Sequence, residues 1–414
     1  MFENEYGNNY SSTQNDFKVN SAVIKVVGVG GGGGNAINSM IESNVSSAKF
    51  IAVNTDSQAL LRSKADQKIQ IGNMLTKGLG AGSDPSVGEA AAEESKEELS
   101  QMLEGTDLLF IAAGMGGGTG TGAAAVIARL AREKGILTVA VVTKPFMFEG
   151  RVRNENANIG ISNLKKYVDT LVIIPNDKLL QALNDQVSML DAFKTADDML
   201  KQGIIGIVDL IDTSSLINLD FADVNTIMRN RGLAHMGIGR AKGEKRVLEA
   251  VRQAVSSPLL ETTIEGAKAV ILNVTGGKDL KLYEVNEAAV LVQGIIDESA
   301  NIIFGATIDE NMNEELKITV IATGFVSSDD RAKKIEQVQP SQPAQPVYEE
   351  IKPAIATIPV EDETSNVSVE QVSAPVAPAP VEPVVEETPV ESVEEQPKRK
   401  LPKFMERLFK RNNN

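Results

Sequence analysis

Between residues 21 and 326, short apolar runs alternate with segments of helical periodicity. The runs at 22–27, 50–53, 108–112, 137–142 and 170–174 read as buried strands. Segments 35–43 and 123–128, with others between the later runs, read as helices. Apolar strands separated by helices imply an α/β fold, a Rossmann-like, mainly parallel sheet wound on both faces. Ser188 and Asp191 then stand in capping-box positions. The spacing of Leu190, Phe193, Ala196, Leu200, Ile204, Ile207 and Ile211 predicts one long helix behind them. Helices near 244–256 and 284–298, with strands near 268–274, 301–307 and 316–322, predict a smaller α+β layer after it.

The pattern stops at both ends. Residues 1–20 are polar and acidic and read as a disordered extension without the features of a signal peptide. Residues 335–397 hold 11 of the 16 prolines, 13 acidic residues and one basic residue. Such a composition cannot offset its ordering entropy by burial, so 327–397 reads as a disordered acidic linker. The last segment, 398–414, reverses the charge, with seven basic residues and one acidic. Its Leu401, Phe404, Met405, Leu408 and Phe409 share one helical face. A helix this short is marginal alone, so it is expected to fold on a partner protein or an anionic membrane surface.

Composition narrows the chemistry. The chain has no cysteine and one histidine, His235, which excludes disulfides and argues against a Ser-His-Asp triad. A net charge of −15 argues against nucleic-acid binding. No run is long enough to span a membrane, and the cytoplasm is the expected compartment.

Two glycine clusters carry the strongest chemical signal. Gly28 to Gly34 follows the first strand, and Gly114 to Gly122 sits between the 108–112 strand and an alanine-rich helix. A glycine turn at a helix N-terminus presents backbone N–H groups to an anion. Two such turns suggest a triphosphate held from two sides. Gly28, Gly30 and Gly33 also fit the G-x-G-x-x-G fingerprint, with Asp56 about twenty residues on, so a nicotinamide- or flavin-dependent oxidoreductase is the alternative. No G-x-x-x-x-G-K-[ST] sequence occurs. Asn218, Asp220 and Asp223 interrupt an apolar stretch. They read either as a helix cap or as a polar catalytic constellation.

Gly116-Gly117-Gly118-Thr119-Gly120-Thr121-Gly122 resembles the signature of tubulin-like GTPases. Asn54-Thr55-Asp56, Gly78 to Gly82, Phe148-Glu149-Gly150-Arg151, Ile174-Pro175-Asn176-Asp177 and the 218–223 stretch follow in the order of the tubulin/FtsZ family. The resemblance covers nearly all of 22–326. It implies a GTP-binding domain over 21–187, a central helix over 188–212 and a C-terminal α+β domain with a catalytic loop over 213–326.

The resemblance also implies roles for single residues. Gly30, Gly31, Gly32 and Gly82 face phosphates. Gly114, Gly116, Gly117, Gly118, Thr119 and Gly120 wrap the β- and γ-phosphates. Pro145, Glu149 and Arg153 belong to the ribose side, Thr143 is a further nucleotide-binding residue, and Asn35, Asn176 and Asp197 contact guanine. Phe193 packs on the base or serves as an ordinary core residue. Asn218, Asp220 and Asp223 complete the hydrolytic site of the next subunit in a head-to-tail filament. Mg²⁺ is held mainly by phosphates and water, with no protein metal site. The family's filaments form the division ring at midcell, beneath the membrane, and the tail catches adaptor and regulator proteins. Two departures stand out: Ala125 replaces the family's proline, and Lys400, not an acid, precedes Leu401-Pro402.

Overall fold

The computed structural model describes residues 22–325, apart from 44, 46, 183–186, 212–215, 218–219, 258–263, 265 and 297–298. The expectations for 1–20, for the linker and tail, and for Asn218 lie outside the described residues.

The first part of the chain runs β1 (Ile24–Val29), α1 (Gly30–Glu42), β2 (Lys49–Asn54), α2 (Ser57–Arg62), β3 (Gln67–Gln70) and α3 (Asn73–Thr76). It continues through α4 (Pro85–Glu94), α5 (Lys96–Met102), β4 (Leu108–Gly114), α6 (Thr119–Glu133), β5 (Leu137–Lys144), α7 (Arg151–Leu164), β6 (Thr170–Pro175) and α8 (Asn176–Ala182). Then come α9 (Met189–Ile211), α10 (Phe221–Met228), β7 (Gly232–Lys242) and α11 (Arg246–Val255). The described chain closes with β8 (Ala269–Gly276), α12 (Leu282–Gln293), β9 (Asn301–Ile308) and β10 (Glu315–Thr323).

The strands form one sheet in the order β3-β2-β1-β4-β5-β6-β7-β10-β8-β9. Neighbours from β3 to β7 are parallel, β10 is antiparallel to β7 and β8, and β9 is parallel to β8. The α+β layer expected after the long helix therefore continues the first sheet's edge. The joint is short: Thr170, Leu171 and Val172 of β6 pair with Gly232, Leu233 and Ala234 of β7.

Adjacent residues of β1 face opposite cores, as strand geometry requires. Val26 packs with Ile37 and Met40 of α1 and Leu200 and Ile204 of α9. Val27 packs with Ala91 and Ala92 of α4 and Ile127 of α6. Burial on both faces explains why these strands are continuous apolar runs. α9 opens as its sequence pattern predicts, with Ser188 Oγ accepting Asp191 N–H at 3.1 Å.

Three details differ from the sequence reading. α1 starts at Gly30, not Asn35, because the glycine run forms the helix's own first turn. β3 has one buried residue, Ile69, too little for an apolar signal. β7 carries three glycines, and two of them make room for α11: a Cβ at Gly237 or Gly239 would lie 1.9 Å from the carbonyl oxygen of Ala254 or Ala250. Across the same layer, Arg246 of α11 is buried and bonds Glu284 of α12 through Nε at 2.7 Å and Nη2 at 2.8 Å. Its Nη1 meets Asp279 at 2.6 Å.

Candidate functional site: a nucleotide cradle at the sheet's carboxyl edge

β1 and β4 are parallel neighbours in register, Val29 opposite Ala113, so their glycine turns leave the sheet side by side. Strand order reverses at this pair, which is where open parallel sheets bind ligands. The turns interlock. Gly30 has φ +72°, and a Cβ there would sit 2.8 Å from Gly120 N. A Cβ on Gly32 would sit 3.3 Å from Gly114 Cα, and one on Gly118 would sit 2.7 Å from Ala81 Cβ. Gly31, Gly82 and Gly117 instead face open space. Some glycines thus weld the loops together, and others leave backbone exposed where a phosphate would approach.

Gly30, Gly31, Gly34, Asn35, Gly80 and Thr119 all border one cavity of about 400 Å³. The threonines divide their work. Thr119 Oγ1 shares a 2.7 Å hydrogen bond with Thr55 Oγ1, while Thr121 Oγ1 accepts Gly116 N–H at 2.8 Å. Thr121 therefore holds the loop's shape, a role its sequence context did not reveal.

The ribose-side residues gather around Gly116. A Cβ on that glycine would lie 2.6 Å from Arg153 O and 3.2 Å from Pro145 Cγ. Thr143 is buried at the end of β5, and its carbonyl accepts Met115 N–H at 2.9 Å. Glu149 closes the intervening turn: one oxygen accepts Phe146 N–H at 2.9 Å, and the other pairs with Arg153 Nε at 3.0 Å.

The base-side residues come from the end of β6 and from α9. Asn176 opens α8 and is buried, with its Oδ1 unpartnered. A buried carbonyl oxygen without a donor is costly, and a ligand N–H would relieve it. Asp197 is half-buried, and its pKa is pushed up to about 6, first by burial and then by the charge of Asp198. A carboxylate so placed is poised to accept two donors. Phe193, one turn earlier, meets Phe146 edge-to-face at 5.4 Å, and Phe146 stacks on Phe148 at 5.0 Å. Phe193 is 37% exposed, so it is not a closed core residue. The companions Phe146 and Phe148 were missed in the sequence, because only folding brings them to Phe193. α1, which bears Asn35, packs on α9 within one core.

Asp220 and Asp223 are not brought to this cradle. Both are exposed, and Asp220 caps α10 by accepting Asp223 N–H at 2.7 Å. The far end of α10 is moored just before β6, where Asp169 Oδ1 accepts Asn230 N–H at 3.1 Å. The cradle leaves the opposite, carboxyl ends of the strands. Seven residues of β4 separate those two edges by roughly 20 Å.

These features define a parallel-sheet protein with a glycine-lined cradle at its strand-order reversal. The model of the Tubulin/FtsZ family GTPase domain matches residues 23–184, and that of the FtsZ family C-terminal domain matches 232–326. An empty FtsZ dimer from M. jannaschii is 48% identical, with a TM-score of 0.72 over 74% of this chain and 89% of that one. A mutant of the same protein matches with equal identity over 92% of its length. CetZ2 from Haloferax volcanii, a GTPγS-bound protofilament, shares the fold at 20% identity and a TM-score of 0.63, over 76% of this chain and 97% of that one. The chain belongs to the tubulin/FtsZ family of GTPases. GTP and GDP binding follow from that membership, which does not favour the oxidoreductase alternative. Among the described residues, no helix is long and apolar enough to cross a membrane.

Proposed function

We infer that the chain is a division-ring GTPase whose hydrolytic site is completed by a second copy. The carrying observation is the placement of the acids. Asp220 and Asp223 are exposed and do not border the cavity of the glycine cradle, and the far end of their helix is moored before β6. A head-to-tail contact would bring one copy's acids to the next copy's cradle, and repetition of that contact makes an open filament. The M. jannaschii dimer and the Haloferax protofilament support self-association.

Within one copy, the glycine loops and Thr119 bind the phosphates. Pro145, Glu149 and Arg153 hold the ribose side, and Thr143 is a further nucleotide-binding residue. Asn35, Asn176 and Asp197 select guanine, whose N1–H and N2–H donors satisfy the Asp197 carboxylate, while adenine would leave it unpaired. Mg²⁺, held mainly by phosphates and water, supplies charge neutralisation. Asp220 and Asp223, with Asn218 beside them in sequence, orient and polarise the attacking water. Filaments then gather at midcell beneath the membrane, and the 398–414 tail engages adaptor or regulator proteins or anionic lipid.

The test is GTP turnover per molecule against protein concentration, with light scattering to follow assembly. Turnover is expected to rise steeply and then level off. Asp220→Ala should bind GTP normally and hydrolyse it at least about a hundredfold more slowly. A rate per molecule independent of concentration would refute the shared site.

A further inference from the structure

The cavity beside the glycine loops extends over β2, away from the residues read at the end of β6 and on α9. On one side of the β1/β4 reversal lie β5 and β6, and the base-selecting residues Asn176, Phe193 and Asp197 follow β6. None of those three borders the cavity, although Asn35, the guanine contact on α1, does. The cavity extends instead to the other side, over β2, between α1 and α2. There its walls are Asn38, Asp56, Ala59, Leu60, Arg62 and Ser63. This lobe stands where the second half of a dinucleotide sits in folds with the strand order 3-2-1-4-5-6.

The lobe is chemically furnished. Arg62 is exposed and has no hydrogen bond or ion pair among the described residues, so its guanidinium is available to an anion. Asp56 Oδ1 is engaged by Gln58 N–H at 2.8 Å and Ala59 N–H at 3.3 Å, which leaves Oδ2 to accept from a sugar hydroxyl. Asn38 Oδ1 accepts Lys64 N–H at 2.8 Å, which turns its amide NH₂ toward other acceptors. Ala59 and the buried Leu60 supply an apolar floor. The fingerprint glycines also do their dinucleotide-fold work. A Cβ on Gly28 would strike Gly33 O at 2.4 Å, and one on Gly33 would strike Ala112 O at 2.2 Å, so both permit the close packing of α1. A pyrophosphate needs one glycine turn. Two interlocked turns, with Arg62 on the wall of the same cavity, suit a longer phosphate chain.

We propose that the α1–α2 lobe receives the far nucleoside of a dinucleoside polyphosphate whose near end is the guanine nucleotide bound toward α9. The proposal rests on the guanine reading of Asp197 and extends it. Such a ligand would bridge both halves of the crevice, with Arg62 on its distal phosphates and Asp56 Oδ2 on its second ribose.

The experiment is competition binding on the nucleotide-free full chain, with GTP, diguanosine tetraphosphate and NAD as probes. Diguanosine tetraphosphate is expected to bind about tenfold more tightly than GTP. Arg62→Ala should remove most of that gain, and Ala59→Phe, which fills the lobe, should do the same. Both variants should bind GTP as the unaltered chain does, which also reports that they are folded. Equal affinity for GTP and the dinucleotide would overturn the proposal. So would a loss of GTP affinity in Arg62→Ala equal to the loss for the dinucleotide, or NAD binding more tightly than either. Failure of GTP itself to bind would sink the guanine reading along with the proposal, whereas GTP binding without the dinucleotide gain sinks the proposal alone.

Discussion

On the guanine reading proposed above, Asp197 has to be ionised to accept the base's donors, at a position where burial opposes ionisation. Its pKa of about 6 means that nucleotide affinity is full above neutrality and falls as pH drops through 6. GDP affinity measured from pH 5 to 8 should show that fall, and Asp197→Asn should give a flat, weak profile, down about tenfold or more at pH 7.5. The effect on folding has the opposite sign. A carboxyl whose pKa is raised above its unfolded value near 4 stabilises the fold fully below that value and loses the contribution as pH rises through 6. The nucleotide-free Asp197→Asn chain should therefore melt higher than the unaltered chain at pH 7.5. Only the family resemblance singles out Asp197 in the sequence; the burial and Asp198 that perturb it appear only in the fold. Asn176 is similar, since its orphaned oxygen is a property of packing that no spacing along the chain encodes.

At the scale of elements, what could be read in the sequence followed what each strand buries. β1, β4 and β5 are covered on both faces, so their apolar runs announced them. β7 was hidden because Gly237 and Gly239 serve a neighbour: they admit the backbone of α11. Gly239→Ala should cost about 1–3 kcal/mol or more, read as a lowered melting temperature, because the obstructing atom is a backbone oxygen. Arg246 and Glu284 give a second test. Glu284→Ala would leave a buried guanidinium short of its bidentate partner and should cost about 3–5 kcal/mol by urea unfolding. The Arg246 hydrogen bonds hold the Glu284 pKa below its ordinary value. The stabilisation from that shift is present above the ordinary carboxylate range and is lost as pH falls through the folded value, so this layer should loosen in acid. The glycine cradle was legible because its residue types are dictated by close approach, whereas the aromatic group of Phe146, Phe148 and Phe193 was not, because its members are distant in sequence.

For the whole molecule, the proposed shared site turns on the exposed acids of α10 standing outside the cavity that the glycine loops border. Mixing two crippled chains tests it directly. Asp197→Ala should be poor at holding nucleotide but keep its acids, and Asp220→Ala should hold nucleotide but lack one acid. Each alone should hydrolyse GTP slowly, and an equimolar mixture should recover a substantial fraction of the unaltered rate in a phosphate-release assay. The proposed shared site has an arithmetic consequence. On that reading, a row of n copies contains n − 1 completed sites, because the cradle at one terminus has no acids opposite it. Two copies share a single working site, so turnover per copy begins at half its ceiling and approaches that ceiling only as rows lengthen. On the same reading the nucleotide in the unopposed terminal cradle is spared, so every row should keep one unspent molecule at one of its ends.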